Sequence, residues 1–284
     1  MHNEKELLQK FIKDALLEDI GDGDHTSLST IPAGKQGEAQ LIIKEDGILA
    51  GVDVALEIFR AVDAGLETEV FIQDGASVKI GDIALKVKGS VYSILTAERL
   101  VLNTMQRMSG IASTTRRITN LLKSTGTKVL DTRKTTPNLR FLEKAAVKIG
   151  GGVNHRFGLY DMILIKDNHV DYAGGIRQAL SAAKKYLKEK NKSIQIEIEV
   201  RNLDELQDVI ESGEVDRILL DNFDFKTLKQ AVSLVNGKFV TEASGGITED
   251  NVLQYAQCGV DYVSMGALTH SVKSLDMSLK AIKN

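Results

Sequence analysis

The stretch IQIEIEV at residues 194–200 decides the fold, because apolar and polar side chains alternate along it. Successive side chains of a strand point to opposite faces, so Gln195, Glu197 and Glu199 share one face and the apolar residues share the other. The apolar face must meet helices, and the acidic face then points into the interior of a curved sheet. Buried carboxylates are costly without partners, so the pattern predicts a barrel whose mouth binds a polar ligand, with Glu199 nearest that mouth. An edge strand whose polar face is exposed to solvent would show the same alternation. This alternative is disfavoured because the strand lies within a series of alternating strands and helices.

That series runs through the second half of the chain. Apolar strand-like runs recur there with helical segments between them: KVLD (128–131), MILIK (162–166), RILLD (217–221), FVTEA (239–243) and VDYVSM (260–265). The alternation predicts a parallel sheet. A full eight-stranded barrel takes about 250 residues, so we expect an incomplete barrel over residues 113–270.

The first part of the chain has a different rhythm. A helical pattern at 4–19 is followed by short strand-like runs at 39–44, 69–73 and 83–89, and then by a long helical stretch that ends near residue 123. This order predicts a small sheet packed on helices over residues 1–112. We expect a C-terminal helix at 271–284 to pack back on this domain.

Bulk composition narrows the function classes. The 284 residues contain no apolar stretch long enough to span a membrane, and the beginning, MHNEKELLQK, lacks the pattern of a signal peptide. The single cysteine, Cys258, excludes an intrachain disulfide and a cysteine-cluster metal site. We therefore expect a cytoplasmic protein without a membrane partner.

Charge is unevenly distributed along the chain. Residues 99–166 contain 13 lysines and arginines against three acids, whereas the whole chain has a net charge of −3. Such a block indicates an anionic partner. Because the block is rich in small residues and poor in aromatic ones, stacking on nucleic acid is disfavoured, and a compact small molecule with several negative charges fits better.

The ends of the predicted barrel strands carry the candidate site, since ligands of βα barrels lie at the carboxyl ends of the strands. Cations come first: Arg133 and Lys134 in DTRKTTP (131–137), then His155, Arg156 and Lys166. Arginine suits bidentate binding of carboxylates, and lysine suits point contacts with phosphate. A structural role for His155 is the alternative, with about equal weight.

Acids and glycines complete the set of strand ends. Glu199 and Asp221 can accept hydrogen bonds from a sugar, stabilise positive charge at an anomeric carbon, or bind Mg²⁺, and internal salt bridges are the alternative. The loop SGGI (244–247) before a predicted helix N-cap at 248–250, together with Gly266, is typical of a phosphate site. The set indicates phosphoribosyl transfer without naming the acceptor.

Eight motifs carry a resemblance to a known family. They are EDIGDGDHTS (18–27), TAERLVLNTMQRMSGIAS (96–113), DTRKTTP (131–137), GGGVNHRFGLYDMILIKDNH (150–169), EIEV (197–200), LLDNF (219–223), EASGGI (242–247) and VSMGALTHS (263–271). In this order they resemble quinolinate phosphoribosyltransferase over nearly the whole chain. The resemblance implies an α/β fold, with an N-terminal α/β sandwich and a C-terminal incomplete α/β barrel.

The resemblance also implies an activity and residue roles. Quinolinate and phosphoribosyl pyrophosphate (PRPP), with Mg²⁺, would give nicotinate mononucleotide, pyrophosphate and CO₂ in NAD biosynthesis. The implied quinolinate-binding residues are Arg99, Thr132, Arg133, His155, Arg156 and Lys166. The implied PRPP-binding residues are Lys134, Glu199, Asp221, Ser244, Gly245, Gly246 and Gly266. Lys134, Lys166, Glu199 and Asp221 are the implied catalytic residues, and Mg²⁺ would bind mainly through PRPP, with Glu199 and Asp221 as candidate ligands.

Three points stay open at this stage. Compared with the family pattern, this chain has one extra residue between Glu199 and Asp221, so Glu197 is a second candidate for binding the ribose. The alternation of side chains along the strand favours Glu199. Arg99 implies a homodimer with shared active sites, and the choice between a dimer and a hexamer is open. A related, ModD-like phosphoribosyltransferase with another acceptor is the alternative function.

Overall fold

The computed structural model describes residues 4–282. Its strands are β1 Gln36–Ile43, β2 Gly47–Ile48, β3 Glu67–Val70, β4 Ser77–Val78, β5 Ile83–Ser90, β6 Lys128–Leu130, β7 Met162–Ile165, β8 Gln195–Val200, β9 Arg217–Asp221, β10 Val240–Ser244, β11 Tyr262–Ser264 and β12 Met277–Ala281. Its helices are α1 Glu4–Ile20, α2 His25–Thr30, α3 Val52–Val62, α4 Val91–Leu121, α5 Arg140–Ile149, α6 Asp167–Ala173, α7 Ile176–Glu189, α8 Leu203–Ser212, α9 Phe225–Val235, α10 Val252–Ala256 and α11 Ala267–His270.

The chain forms two compact units. The first contains the residues up to Arg116, Thr135–Gly151 and the residues from Leu268 onward, and the second contains Arg117–Lys134 and Gly152–Ala267. This division differs from a single boundary near residue 112 because α5 groups with the first unit, and the C-terminal segment groups with that unit too.

The first unit is built on an antiparallel sheet with the strand order β12-β1-β5-β3. Alternate residues of β1 and β5, such as Leu41 and Leu85, are fully buried in one core with Phe59 of α3 and Met105 of α4. Burying an apolar side chain of this size contributes about 1.5–3 kcal/mol. This core therefore holds a helical layer against the sheet.

The C-terminal segment corrects one prediction. We expected a helix at 271–284, but residues 277–281 form β12, which pairs antiparallel with β1 in a register that places Leu279 opposite Leu41. The sequence MSLKA alternates apolar and polar side chains, and the free edge of β1 supplies the partner that such a strand needs. Residues 283–284 of the predicted helix lie outside the described residues.

The second unit is built on a parallel sheet with the strand order β6-β11-β10-β9-β8-β7. In the part of the chain that the structure describes, β6 and β7 are the two edges, so the barrel is incomplete. On β8 the two faces differ as predicted: Ile196 and Ile198 are buried on one face, and Glu197 and Glu199 are buried on the other.

No helix within residues 4–282 is both long enough and apolar enough to cross a lipid bilayer.

Candidate active site

The carboxyl ends of the six parallel strands meet at one edge of the second sheet. Most predicted site residues of this unit lie in or just after the end of a strand: Thr132, Arg133 and Lys134 after β6, Lys166 after β7, Glu199 in β8, Asp221 in β9, Ser244, Gly245 and Gly246 at the end of β10, and Gly266 after β11. His155 and Arg156 lie in the loop before β7. Backbone hydrogen bonds join neighbouring ends, since the N–H of Asn222 donates to Ser244 (2.9 Å) and that of Met265 donates to Leu130 (3.0 Å). The parallel topology therefore brings these residues to one edge.

The turn after β6 presents the two adjacent cations. Asp131, which is fully buried, accepts the N–H of His155 at 2.8 Å and so ties this turn to the loop before β7. The hydroxyl of Thr132 accepts the N–H of Lys134 at 3.0 Å. Arg133 and Lys134 are exposed. Thr132 thus shapes the turn that displays both cations.

The ring of His155 is buried among acids that the strands bring together. Its Nε2 lies 2.9 Å from Glu197 of β8 and 3.4 Å from Glu242 of β10. Arg217 of β9 donates to Glu242 at 3.1 Å, and its guanidinium lies over the ring of Tyr262, 4.7 Å from the centroid. We call Glu197, Glu242, His155 and Arg217 the barrel cluster.

The protonation of the His155 ring depends on the two carboxylates of the barrel cluster. Burial lowers the pKa of His155, but Glu197 and Glu242 outweigh it and raise that pKa to about 9. Burial and the nearby Glu242 also raise the pKa of Glu197, so ring and carboxylate titrate as a coupled pair. The N–H of Arg156 donates to Nδ1 at 2.7 Å, so Nε2 is the ring nitrogen that carries hydrogen toward the two carboxylates.

Two guanidinium groups lie near each other at the cationic part of the site. Burial and the neighbouring Arg133 both lower the pKa of Arg156. The Arg156 side chain donates to the carbonyl of Met162 at 3.3 Å, and Asp161 holds the following turn by accepting the N–H groups of Phe157 and Gly158. Two like charges held close together favour an anion that binds both.

A cation and an acid make contact across β7 and β8. The Nζ of Lys166 donates to Glu199 at 2.8 Å, and the side chain of Lys166 is 48% exposed while that of Glu199 is 9% exposed. Glu197 lies two residues deeper and faces His155 instead. The structure thus separates the two glutamates, and Glu199 is the one at the mouth.

Asp221 is held by a strained neighbour. Asn222 has a left-handed backbone (φ 56°), and its side-chain amide donates to Asp221 at 2.6 Å. Gly245 (φ 94°) packs against it so closely that a Cβ there would lie 2.2 Å from the Asn222 Oδ1. A left-handed non-glycine residue is costly, so the surrounding contacts must hold it. Asn222 joins the acid at the end of β9 to the glycine loop after β10.

The glycine loop differs from its prediction at one point. The helix after it begins at Val252 with Asn251 as its N-cap, and the predicted cap at 248–250 lies in the loop. Asn251 holds the loop, since its side chain accepts the N–H of Thr248 (2.8 Å) and donates to the carbonyl of Gly246 (3.1 Å). The short α10 therefore starts beyond the loop, and the backbone of Gly245 and Gly246 forms the turn itself.

Arg99 lies in α4 of the first unit. Its guanidinium contacts the adjacent Glu98 at 3.1 Å, and its side chain is 56% exposed.

Two family models match the chain. The quinolinate phosphoribosyl transferase N-terminal domain matches residues 24–109, and the C-terminal domain of the same name matches residues 111–280. The chain belongs to the quinolinate phosphoribosyltransferase family. The resemblance seen in the sequence is thereby confirmed.

Relatives in this family are similar over almost the whole chain. "Nicotinate-nucleotide pyrophosphorylase [carboxylating], chloroplastic" of Arabidopsis thaliana is 48% identical, and "Quinolinate phosphoribosyltransferase [decarboxylating] 2b, mitochondrial" of Nicotiana tabacum is 46% identical. Each match covers 96% of this chain and 82% of the relative. The crystal structure of NadC from Streptococcus pyogenes superposes with a TM-score of 0.93 at 38% identity, over 100% of both chains. The predicted fold, a sandwich followed by an incomplete barrel, is confirmed.

Four residues of the second unit that contact predicted site residues or complete the barrel cluster were missed from the sequence. Asp131 precedes the cations, Asn222 follows Asp221, and Glu242 and Arg217 complete the barrel cluster. Strand parity could have found the last two, because Glu242 lies two residues before Ser244, and Arg217 lies four residues before Asp221 on the same face. In this chain, then, the interior of the barrel as well as its mouth carries charge.

Proposed function

We propose that this chain transfers the phosphoribosyl group of PRPP to quinolinate with loss of CO₂, giving nicotinate mononucleotide and pyrophosphate in NAD biosynthesis. The contact between Lys166 and Glu199 carries this proposal, because it joins the cationic half of the site to its acidic half. A substrate with two carboxylates suits the first half, and a ribose that develops positive charge suits the second. The alternative with another acceptor finds no support, since the relatives' names specify quinolinate or nicotinate nucleotide.

The acceptor half would bind quinolinate through its cations. Arg133 and Arg156, whose charges influence each other, would bind carboxylates together, and Lys166 would bind from the neighbouring strand end. Thr132 and His155 would hold the two loops that carry the arginines, as their hydrogen bonds to Lys134 and Arg156 indicate. These assignments rest on geometry and charge.

The donor half would bind PRPP. Glu199 and Asp221 would face the ribose, Lys134 would contact phosphate oxygens, and the loops of Ser244, Gly245, Gly246 and Gly266 would bind the 5′-phosphate through backbone N–H groups. The ring nitrogen of quinolinate would attack the anomeric carbon as pyrophosphate leaves. Both acids would stabilise the positive charge on the ribose in the transition state.

Decarboxylation would follow from the charge of the product ring. After transfer the nitrogen is a pyridinium, so the carboxylate next to it can leave as CO₂ while its bonding electrons remain on the ring carbon, which then takes a proton. Arg133 and Arg156 would orient that carboxylate through ion pairs.

Magnesium fits this site only with help from the substrate. Glu199 contacts Lys166, and Asp221 accepts a hydrogen bond from Asn222, so the two acids supply few of the six oxygens that Mg²⁺ requires. We propose that both acids would hold the ion together with phosphate oxygens of PRPP. When bound, Mg²⁺ would neutralise charge on the departing pyrophosphate.

We also propose a homodimer whose active sites are shared, with Arg99 reaching the site of the partner subunit, and we leave the choice between a dimer and a hexamer to experiment. The proposed compartment is the cytoplasm, in keeping with one buried, unpaired cysteine, although the plant relatives named above are mitochondrial or chloroplastic. Cell fractionation of the native source tests the compartment directly.

Release of CO₂ tests the reaction. Quinolinate labelled in the carboxyl group next to the ring nitrogen is incubated with the protein, PRPP and Mg²⁺. We expect labelled CO₂ and nicotinate mononucleotide in equal amounts, and neither product when PRPP or quinolinate is omitted. If a folded protein that binds PRPP releases no label, the acceptor is another compound.

A further inference from the structure

The barrel cluster holds more charge than a structural role explains. Glu197 is fully buried and Glu242 is 1% exposed, yet both carboxylate oxygens of Glu197 and one of Glu242 have no hydrogen-bond partner among the described residues. Glu197 instead makes an ion-pair contact with the ring of His155, whose Nε2 lies 2.9 Å from its Oε2. Burying a carboxylate with so few partners destabilises the fold, whereas an apolar residue of similar size would not. These acids therefore have a purpose other than stability.

A short chain of contacts leads from these acids to the acceptor half of the site. Nε2 of His155 faces Glu197 and Glu242, and Nδ1 on the opposite side of the ring accepts the N–H of Arg156 at 2.7 Å. Asp131 accepts the N–H of His155 at 2.8 Å, which connects the same loop to the turn of Arg133. The ring is thus held on both sides, and the next residue is an arginine of the site.

We propose that Glu197 and Glu242 are positioning residues for the acceptor site: they hold the His155 ring from inside the barrel, so that its Nδ1 fixes the backbone of Arg156 in the geometry that binds a substrate carboxylate. This proposal rests on the proposed function, since it takes quinolinate as the acceptor. His155 is then itself a positioning residue and acts through Arg156.

A metal ion is the competing occupant of the barrel cluster, because potential ligand atoms of His155, Glu197 and Glu242 all lie within 4.8 Å of one another. Arg217 argues against it, since its guanidinium lies 3.1 Å from Glu242 and already supplies positive charge there. The two carboxylates, the Arg217 guanidinium and one proton shared among His155, Glu197 and Glu242 sum to zero charge, so no further cation is needed.

Substitutions of Glu197 test the proposal first. Glu197→Leu removes the acceptor that holds His155, and we expect the KM for quinolinate to rise about tenfold while the KM for PRPP changes less than threefold. Glu197→Gln keeps an acceptor of the same shape and should give a smaller rise. Ile198→Val is the matched control, because Ile198 is buried on the opposite face of the same strand and should leave both KM values unchanged.

Two substitutions of His155 keep the proposal testable if Glu197→Leu does not fold. His155→Asn places an amide oxygen near the position of Nδ1, and His155→Gln places its amide near Nε2. Positioning through Nδ1 predicts that the Asn variant has a lower KM for quinolinate than the Gln variant, by roughly threefold or more.

The outcomes separate the two levels of proposal. If the wild-type protein releases no CO₂ from quinolinate, the proposed function fails. If the wild type is active but Glu197→Leu leaves the KM for quinolinate unchanged, raises both KM values equally, or if His155→Gln outperforms His155→Asn, the positioning role is overturned. A stoichiometric metal in the purified protein that is lost in Glu242→Gln would also overturn it.

Discussion

At the scale of single residues, the two adjacent cations Arg133 and Lys134 are proposed to bind different substrates. Arg133 and Lys134 follow the same strand, and the Thr132 hydroxyl fixes the turn between them. Arg133 lies near Arg156, on the side proposed for carboxylates, whereas Lys134 is the point charge suited to phosphate. Neighbouring residues can serve different substrates because side chains of successive residues diverge.

This division predicts a selective loss in Arg133→Ala. Removing a charge-assisted contact to a carboxylate costs about 2 kcal/mol, so we expect the KM for quinolinate to rise roughly 30-fold. The affinity for PRPP, measured in a separate titration, should change less than threefold. Arg117→Ala is the matched control, since Arg117 is an exposed arginine of the same unit that pairs with Glu249. Equal losses for both substrates would contradict the division.

At the scale of elements, helix caps place the loops beside the acids. Asp224 caps α9 by accepting the N–H groups of Lys226 and Thr227 (both 2.9 Å), and Asn202 caps α8 by accepting the N–H of Glu205 (2.9 Å). These two caps follow β9 and β8, the strands that carry Asp221 and Glu199. Local side-chain chemistry thus ends the loops of the site at defined residues.

The charged cap makes stability depend on pH with a definite sign. Hydrogen bonds from the backbone and side chain of Thr227 lower the pKa of Asp224 below its ordinary value of 3.8. Because the folded pKa is depressed, this stabilisation is complete above pH 3.8 and is lost as the pH falls through the folded pKa. Asp224→Ala should lower the Tm at pH 7 by roughly 2–4 °C, and the difference from wild type should shrink below pH 4.

Asp224→Asn is the control for that experiment. Asparagine keeps the capping oxygen but does not titrate, so most of the Tm at pH 7 should be retained, and the variant should lack the wild-type loss on acidification. Thermal unfolding followed by circular dichroism between pH 3 and pH 7 measures both. An Ala variant whose Tm deficit stays constant down to pH 3 would show that the cap acts without its charge.

At the scale of the whole molecule, the proposed shared site makes a prediction about mixed dimers. Arg99→Ala and Lys166→Ala chains should each be inactive, because each removes one contribution to every site. If Arg99 serves the partner's site, a mixed dimer contains one intact site. Random mixing then restores about a quarter of wild-type activity, since half of the dimers are mixed and each has one of two sites intact.

The control for complementation is a chain that carries both substitutions, mixed with either single variant. Such mixtures contain no intact site and should stay inactive under the same conditions. Activity is measured as labelled CO₂ release, and native mass spectrometry verifies that mixed dimers have formed. Verified mixed dimers without activity would place Arg99 in the site of its own subunit or outside the site.

Much of the barrel was predictable because its signals are local. The alternation in IQIEIEV and the spacing of the apolar runs depend only on residues near in sequence. The helical patterns LDELQDVIES (203–212) and FKTLKQAVSLV (225–235) likewise match the bounds of α8 and α9. The start of α10 was predicted less accurately, because the Asn251 side chain bonds Thr248 and Gly246 in the loop and the helix begins only at Val252.

The sequence by itself determined which parallel strands of the second unit form, which face of β8 is acidic, and which residues follow each of those strands. Only the tertiary structure decided which acid contacts which basic residue. Glu197 and Glu199 share a face, yet Glu197 contacts His155 inside the barrel and Glu199 contacts Lys166 at the mouth. The tertiary structure also made residues 277–281 a strand, because a free edge of β1 was available. The reason is that side-chain direction repeats locally every two residues, whereas partners on other strands depend on register and depth, which arise only when the whole sheet assembles.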